Sequence, residues 1–267
     1  MKHAKGCKMR KMIKVEIYKT VHYLLVCGAL LIAVAMGFYV GFSPNYQAEV
    51  EWYMIHYPKI EYIVIIELCC APLALFSMFA TSYLGSVDFS AGTVRNALSV
   101  GVSRSRYFFA RMAVYMLMIL VMFGATMLSY GLSRFCRNLG EGQVNRALSM
   151  GEYTVIFLIM LLQLWALAAF SNMLCYFFRN QLIPMITVLG LFYVYVLVSE
   201  LAKQYGLDRL YDLVGLFPAR VLERCTYYTV SVGIFQFEFL RSGLSALAII
   251  VVCSAIGYMR FRYSDQS

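Results

Sequence analysis

The chain has 267 residues, 61% of them hydrophobic and 14% charged, with a mean hydropathy of +0.70. A single soluble core of this length has no use for so much apolar surface, which excludes an ordinary soluble enzyme or binding module. The formal charge of +9 is not gathered on a compact domain with a reader motif, so no nucleic acid is expected, and anionic lipid headgroups suit the charge better.

Residues 1–20 carry Lys2, Lys5, Lys8, Arg10, Lys11, Lys14 and Lys19 against one acid, Glu16. Met9, Met12, Ile13 and Ile17 lie among them, so the segment reads as a basic interfacial helix whose lysines hold lipid phosphate. Residues 21–42 form an apolar stretch of about 33 Å as a helix, too long for a signal-peptide core and enough to cross a bilayer. A polar, aromatic loop follows, and 63–87 is the second predicted span. Residues 88–106 form a polar, basic island. The third span is 107–132 and the fourth 152–178, with a polar loop between them. A tight turn leads to the fifth, 182–201, whose Pro184 sits in the first helical turn, where a missing N–H costs nothing. Residues 202–241 are too charged to cross and have Leu207, Leu210, Leu213 and Val214 at helical spacing, which predicts an extracellular or re-entrant helical segment. The sixth span is 242–259, followed by a basic tail.

The predicted fold is therefore all-α. It is a polytopic membrane protein, a single transmembrane domain over 1–267, with six transmembrane helices, an N-terminal interfacial helix and a short helix between spans two and three. Six spans put both termini on one side. That side carries 14 of the 23 Lys and Arg residues, so the positive-inside rule makes the termini and the island cytoplasmic in a cell membrane.

The island, Asp88 to Arg111, reads DFSAGTVRNALSVGVSRSRYFFAR. Ala91, Val94, Ala97 and Leu98 recur at spacings of three and four, with Ser90, Thr93, Arg95, Asn96 and Ser99 on the opposite face, the pattern of a short amphipathic helix. Asp88 is placed to act as its N-cap and Gly101 as its stop, and Ser103 can cap a second helix that begins at Arg104. Without a partner, Arg95, Arg104, Arg106 and Arg111 would anchor this loop to anionic lipid.

The chain has no G-x-x-x-x-G-K-[ST], H-E-x-x-H, C-x-x-C or G-x-S-x-G motif. No catalytic residue, metal site or cofactor is expected. Glu67 is the acid within a span, and an intramembrane carboxylate is a candidate for the substrate pathway, although it lies about one turn from the outer boundary, where snorkelling makes it cheap. Gln163, nearer mid-membrane, is a candidate for the same pathway or for an interhelical hydrogen bond. Cys136 and Cys225 both fall in predicted outer loops and can pair as a disulfide if they are close in space.

The run D-F-x-x-G-T-V-R-N-x-L-S-x-G-V-S-R-S-R-Y-F-F-A-R, between spans two and three of a six-span chain with a basic N-terminal segment, resembles the type-2 ATP-binding-cassette permeases. These are exporter subunits such as those of bacterial antibiotic, peptide and lantibiotic-immunity transporters. Asp88, Gly92, Thr93, Arg95, Leu98, Ser103 and Arg104 match the family pattern of an acid, G-T-x-[RK], a leucine and S-R. Asp88 stands where glutamate is commoner, and Gly101 where many members have proline. The resemblance implies a cytoplasmic coupling helix that docks on a separate ATPase subunit, a second permease copy or relative, and outward transport of a peptide, antibiotic or lipid-like compound, in a bacterial membrane. A membrane immunity or sensor protein that binds a ligand without pumping is the alternative reading.

Overall fold

The computed structural model describes residues 2–42, 61–141, 150–178, 182–207, 209–210 and 235–263. Among these the chain is helical, with no strand. In order the helices are α1 (Lys2–His22), α2 (Leu24–Phe42), α3 (Glu61–Ser90), α4 (Thr93–Ser99), α5 (Arg104–Glu141), α6 (Met150–Phe178), α7 (Leu182–Gln204) and α8 (Phe235–Tyr263). Each predicted apolar stretch coincides with a helix, so the all-α reading stands. Most of the segment expected between 202 and 241 lies outside the described residues.

Two boundaries differ from those expected. α5 continues to Glu141 through residues expected as a polar loop, and α8 begins at Phe235, taking in Glu238 and Arg241. Hydropathy marks where a helix leaves the hydrocarbon, not where it ends. Leu, Arg and Glu are good helix formers in water as well, so the backbone stays helical past the apolar stretch.

Among the described residues three helices are long and apolar enough to cross a membrane: Arg104–Ser133 within α5, Phe157–Phe178 within α6 and Gly243–Tyr263 within α8. Met12–His22 and Val26–Tyr39, bent by 69° at the break between them, qualify as a fourth if taken as one broken span. α3, 30 residues long, contributes a further apolar stretch that includes Leu73–Phe89. These lengths and compositions are those of a membrane protein.

α6 is the central helix. About 67% of its apolar stretch is buried against 22% for α8, and it packs on α3, α5, α7 and α8, while α2 packs on α5 and α3. One core runs between α2, α3, α5 and α6 around Leu73, Met78, Ile119, Phe123, Leu164 and Leu167. Close helix approach is set by small residues. A Cβ on Gly85 of α3 would lie 2.5 Å from Cys175 Sγ and 2.9 Å from its Cβ on α6, and one on Gly37 of α2 would lie 2.5 Å from the Thr126 carbonyl on α5.

Buried hydroxyls in this core bond back to their own helix. Thr81 donates to the Ser77 carbonyl at 2.7 Å, Ser86 to Ser82 at 2.6 Å, Thr126 to Met122 at 3.0 Å and Ser133 to Tyr130 at 2.7 Å. These four hydroxyls are thereby satisfied without water, as a nonpolar surround requires.

Gly85→Leu is expected to destabilise the fold by about 1–3 kcal/mol through overpacking. Gly28→Leu, where nothing lies within 4 Å of an added Cβ, is the control and should leave stability unchanged. Thermal unfolding of the two variants in detergent micelles checks this.

Candidate functional site

The island folds as a capped unit at one end of the bundle. α3 runs through Asp88 to Ser90, and Gly92 then reverses the chain in the left-handed region (φ 67°), occupying the N-cap position of α4. α4 ends in a Schellman turn, where Gly101 (φ 85°) donates its N–H to the Leu98 carbonyl at 3.0 Å and Val102 donates to Ala97 at 3.2 Å. α5 starts directly after Ser103, whose carbonyl accepts from the Tyr107 N–H. Val94 is buried in a second core with Tyr107, Phe108, Met112, Tyr176 and Phe261, and Ala97, Leu98 and Val102 pack against it. Arg95, Asn96, Ser99 and Val100 are exposed.

Beneath α4 lies a chain of buried charges that joins three helices. Arg111 of α5 is 1% exposed and Asp88 of α3 is 4% exposed. Arg111 Nη2 lies 3.3 Å from Asp88 Oδ2 and donates to the Leu84 carbonyl at 2.6 Å. Arg111 Nη1 donates to the Tyr107 hydroxyl at 3.3 Å, and Nε donates to the Tyr115 hydroxyl. Tyr107 in turn donates to Asp88 Oδ2 at 3.0 Å. The guanidinium also sits 5.4 Å, 5.7 Å and 6.0 Å from the ring centres of Tyr115, Tyr107 and Phe89. From α1, Lys19 Nζ reaches Asp88 Oδ1 at 3.9 Å and Glu16 Oε1 at 3.1 Å, and Glu16 is itself buried. Two cations and two anions alternate, so this part of the interior carries no net charge.

The end of α8 closes the same region. Arg104 donates to the carbonyls of Phe261 and Arg262, at 3.4 Å and 2.5 Å, and so satisfies acceptors that the last turn of a helix leaves open. Ser105 and Tyr258 share a hydrogen bond of 2.7 Å, and Tyr107 and Tyr176 pack their rings against Phe261. α1, the α3–α5 connection and the end of α8 thus meet at one end of the bundle.

Several expectations change. Asp88 does not cap α4: it lies inside α3, three residues before the turn, and its carboxylate is used by Arg111 and Lys19. Arg111 is not available to lipid, because it is enclosed, and Arg104 is held by α8. Of the matching residues, Gly92 sets the reversal, Thr93 starts α4, Leu98 packs inward, Ser103 is exposed before α5, and Arg95 presents its charge outward. Gly101 stops α4 as expected.

Gln163 is fully buried on α6. Glu67 lies within α3, with its side chain outside the described residues. Cys136 is exposed near the end of α5 and Cys225 lies outside the described residues. Among the described residues, no three His, Cys, Asp or Glu side chains are grouped to hold a metal ion.

The enclosure of Arg111 had a signal in the sequence. Tyr107, Arg111 and Tyr115 are spaced by four on an otherwise apolar stretch, which puts two phenols on the same face as an arginine that needs partners. No protein-family model and no curated protein sequence matches the chain.

Removing one member of the buried pair strands the other. Arg111→Met or Asp88→Asn alone is expected to destabilise the protein by about 3–5 kcal/mol, and the double variant by less than the sum. Arg95→Ala, on the exposed face, should stay within about 0.5 kcal/mol. Equilibrium unfolding in mixed micelles measures all four.

Proposed function

We propose that the chain is a non-catalytic permease subunit of an ATP-binding-cassette transporter. In this reading six helices cross a bacterial cell membrane, and the two termini and α4 lie in the cytoplasm. A separate ATPase subunit hydrolyses ATP, and a second permease copy or relative completes the pathway for a peptide, antibiotic or lipid-like compound moved outward.

One observation carries this reading. α4 is a short helix fixed at both ends by left-handed glycines, seated by Val94, and presenting Arg95, Asn96, Ser99 and an 84%-exposed Val100 outward. A solvent-facing loop has little need for such rigid capping, and an 84%-exposed apolar side chain beside an arginine suits a protein groove. The base of the segment is joined to α3 and α5 by the Asp88–Arg111 pair, so a push on α4 would become tilt of both helices instead of local bending. Lipid anchoring, the competing use of the arginines, loses Arg111 and Arg104 to internal contacts, while Arg95 and Ser103 remain exposed.

ATPase activity of a complex copurified with the chain tests the assignment. Arg95→Glu is expected to leave membrane levels unchanged and to abolish the stimulation of ATP hydrolysis by cargo. Purification of the chain without an ATPase would support the non-pumping immunity or sensor reading instead, and unimpaired transport by Arg95→Glu would overturn the coupling role of α4.

A further inference from the structure

α1 combines three features that the transport reading does not use. It contains seven Lys or Arg residues, and its single acid, Glu16, is buried against Lys19. Its last turns expose Val15, Tyr18 and Val21, at 55%, 66% and 57%, next to exposed Lys14 and His22. Its axis over Met12–His22 is bent by 69° from Val26–Tyr39 of α2. If α2 stands near the bilayer normal with an ordinary tilt of about 20°, α1 runs at roughly 50–90° to that normal, nearer the membrane plane than the normal. An exposed apolar strip would be unfavourable in water and is favourable at the depth of the glycerol backbone, where neighbouring lysines reach phosphate.

We propose that α1 docks on acidic phospholipid headgroups, and that Lys19 passes this docking to the base of the 91–103 segment. Charge complementarity selects the occupant. The helix offers cations without exposed acids, and the negative surface potential of an acidic leaflet attracts each lysine, by roughly fivefold in affinity. Among the described residues Lys19 touches both Glu16 of its own helix and Asp88 of α3, so holding α1 at the surface holds Lys19 on the carboxylate that orients Arg111. The inference rests on the chain being a membrane protein and on the position of segment 91–103. It does not need the ATPase, so the two readings fail separately.

The full chain carrying Tyr18→Trp, in bilayer discs, provides the first readout, with the emission of native Trp52 and Trp165 subtracted using the unsubstituted chain. Quenching of the introduced indole by brominated phosphatidylglycerol is expected to be roughly fivefold stronger than by brominated phosphatidylcholine at equal mole fraction. The difference should shrink in 0.5 M salt and in Lys8→Gln/Lys11→Gln/Lys14→Gln, where a screening length of about 4 Å or fewer cations remove the attraction. Equal quenching by the two lipids, or none by either, overturns the docking. The second readout is amide exchange over 91–103, expected to be slower in discs containing phosphatidylglycerol than in phosphatidylcholine alone. Lys19→Gln should abolish that difference and Lys19→Arg preserve it. Exchange that ignores lipid composition, or a difference that survives Lys19→Gln, overturns the transmission.

Discussion

The ion pair between Arg111 and Asp88 is the constraint on which this end of the bundle depends. A guanidinium that is 1% exposed has no water to turn to, so each of its donors must find an acceptor inside the protein. Here the acceptors come from two helices: the Asp88 carboxylate and Leu84 carbonyl on α3, and the Tyr107 and Tyr115 hydroxyls on α5. The requirement fixes the separation and rotation of α3 and α5 where they are joined by only a short connection. α4 hangs between those fixed points. Its orientation is therefore set by the pair below it as much as by its own sequence.

Much of the architecture was legible because membrane helices declare themselves by length and apolarity. All apolar stretches became helices, and Gly101 ended α4 because a left-handed residue after an amphipathic turn favours glycine over any side chain with a Cβ. The loop before α6 was misjudged for the opposite reason: from Ser133 to Glu141 the chain leaves hydrophobicity behind without leaving helix, and composition cannot distinguish the two.

The site was legible in part. Asp88 four residues before Gly92 matches a capping acid by position alone, since carboxylates favour helix starts. What decided otherwise was a partner 23 residues on, and a long-range pair leaves no trace in local propensity. Arg111 was grouped with the surface arginines because it stands at the edge of a basic run. Its phenol neighbours at spacings of four were the better indicator, as an arginine flanked on one helical face by Tyr107 and Tyr115 is provided with acceptors before any fold is known. The involvement of α1 could not be read at all, because Lys19 looks like every other lysine in a segment that contains seven cations.

The hydroxyls of Thr81, Ser86, Thr126 and Ser133 each bond to a carbonyl in their own helix, and Ser86 also reaches Cys175 Sγ of α6 at 3.8 Å. Sliding or rotating one helix against the next breaks none of those four bonds. The resistance to such movement falls instead on steric fit at the glycine crossings, on the charge chain at one end, and on cross-helix bonds such as Trp165 Nε1 to the Met116 carbonyl at 3.0 Å and Cys175 Sγ to the Ser82 carbonyl at 3.4 Å. A bundle made this way is tied lightly along its length and pinned most firmly at its base, which is the mechanical character of a lever with its fulcrum beside α4.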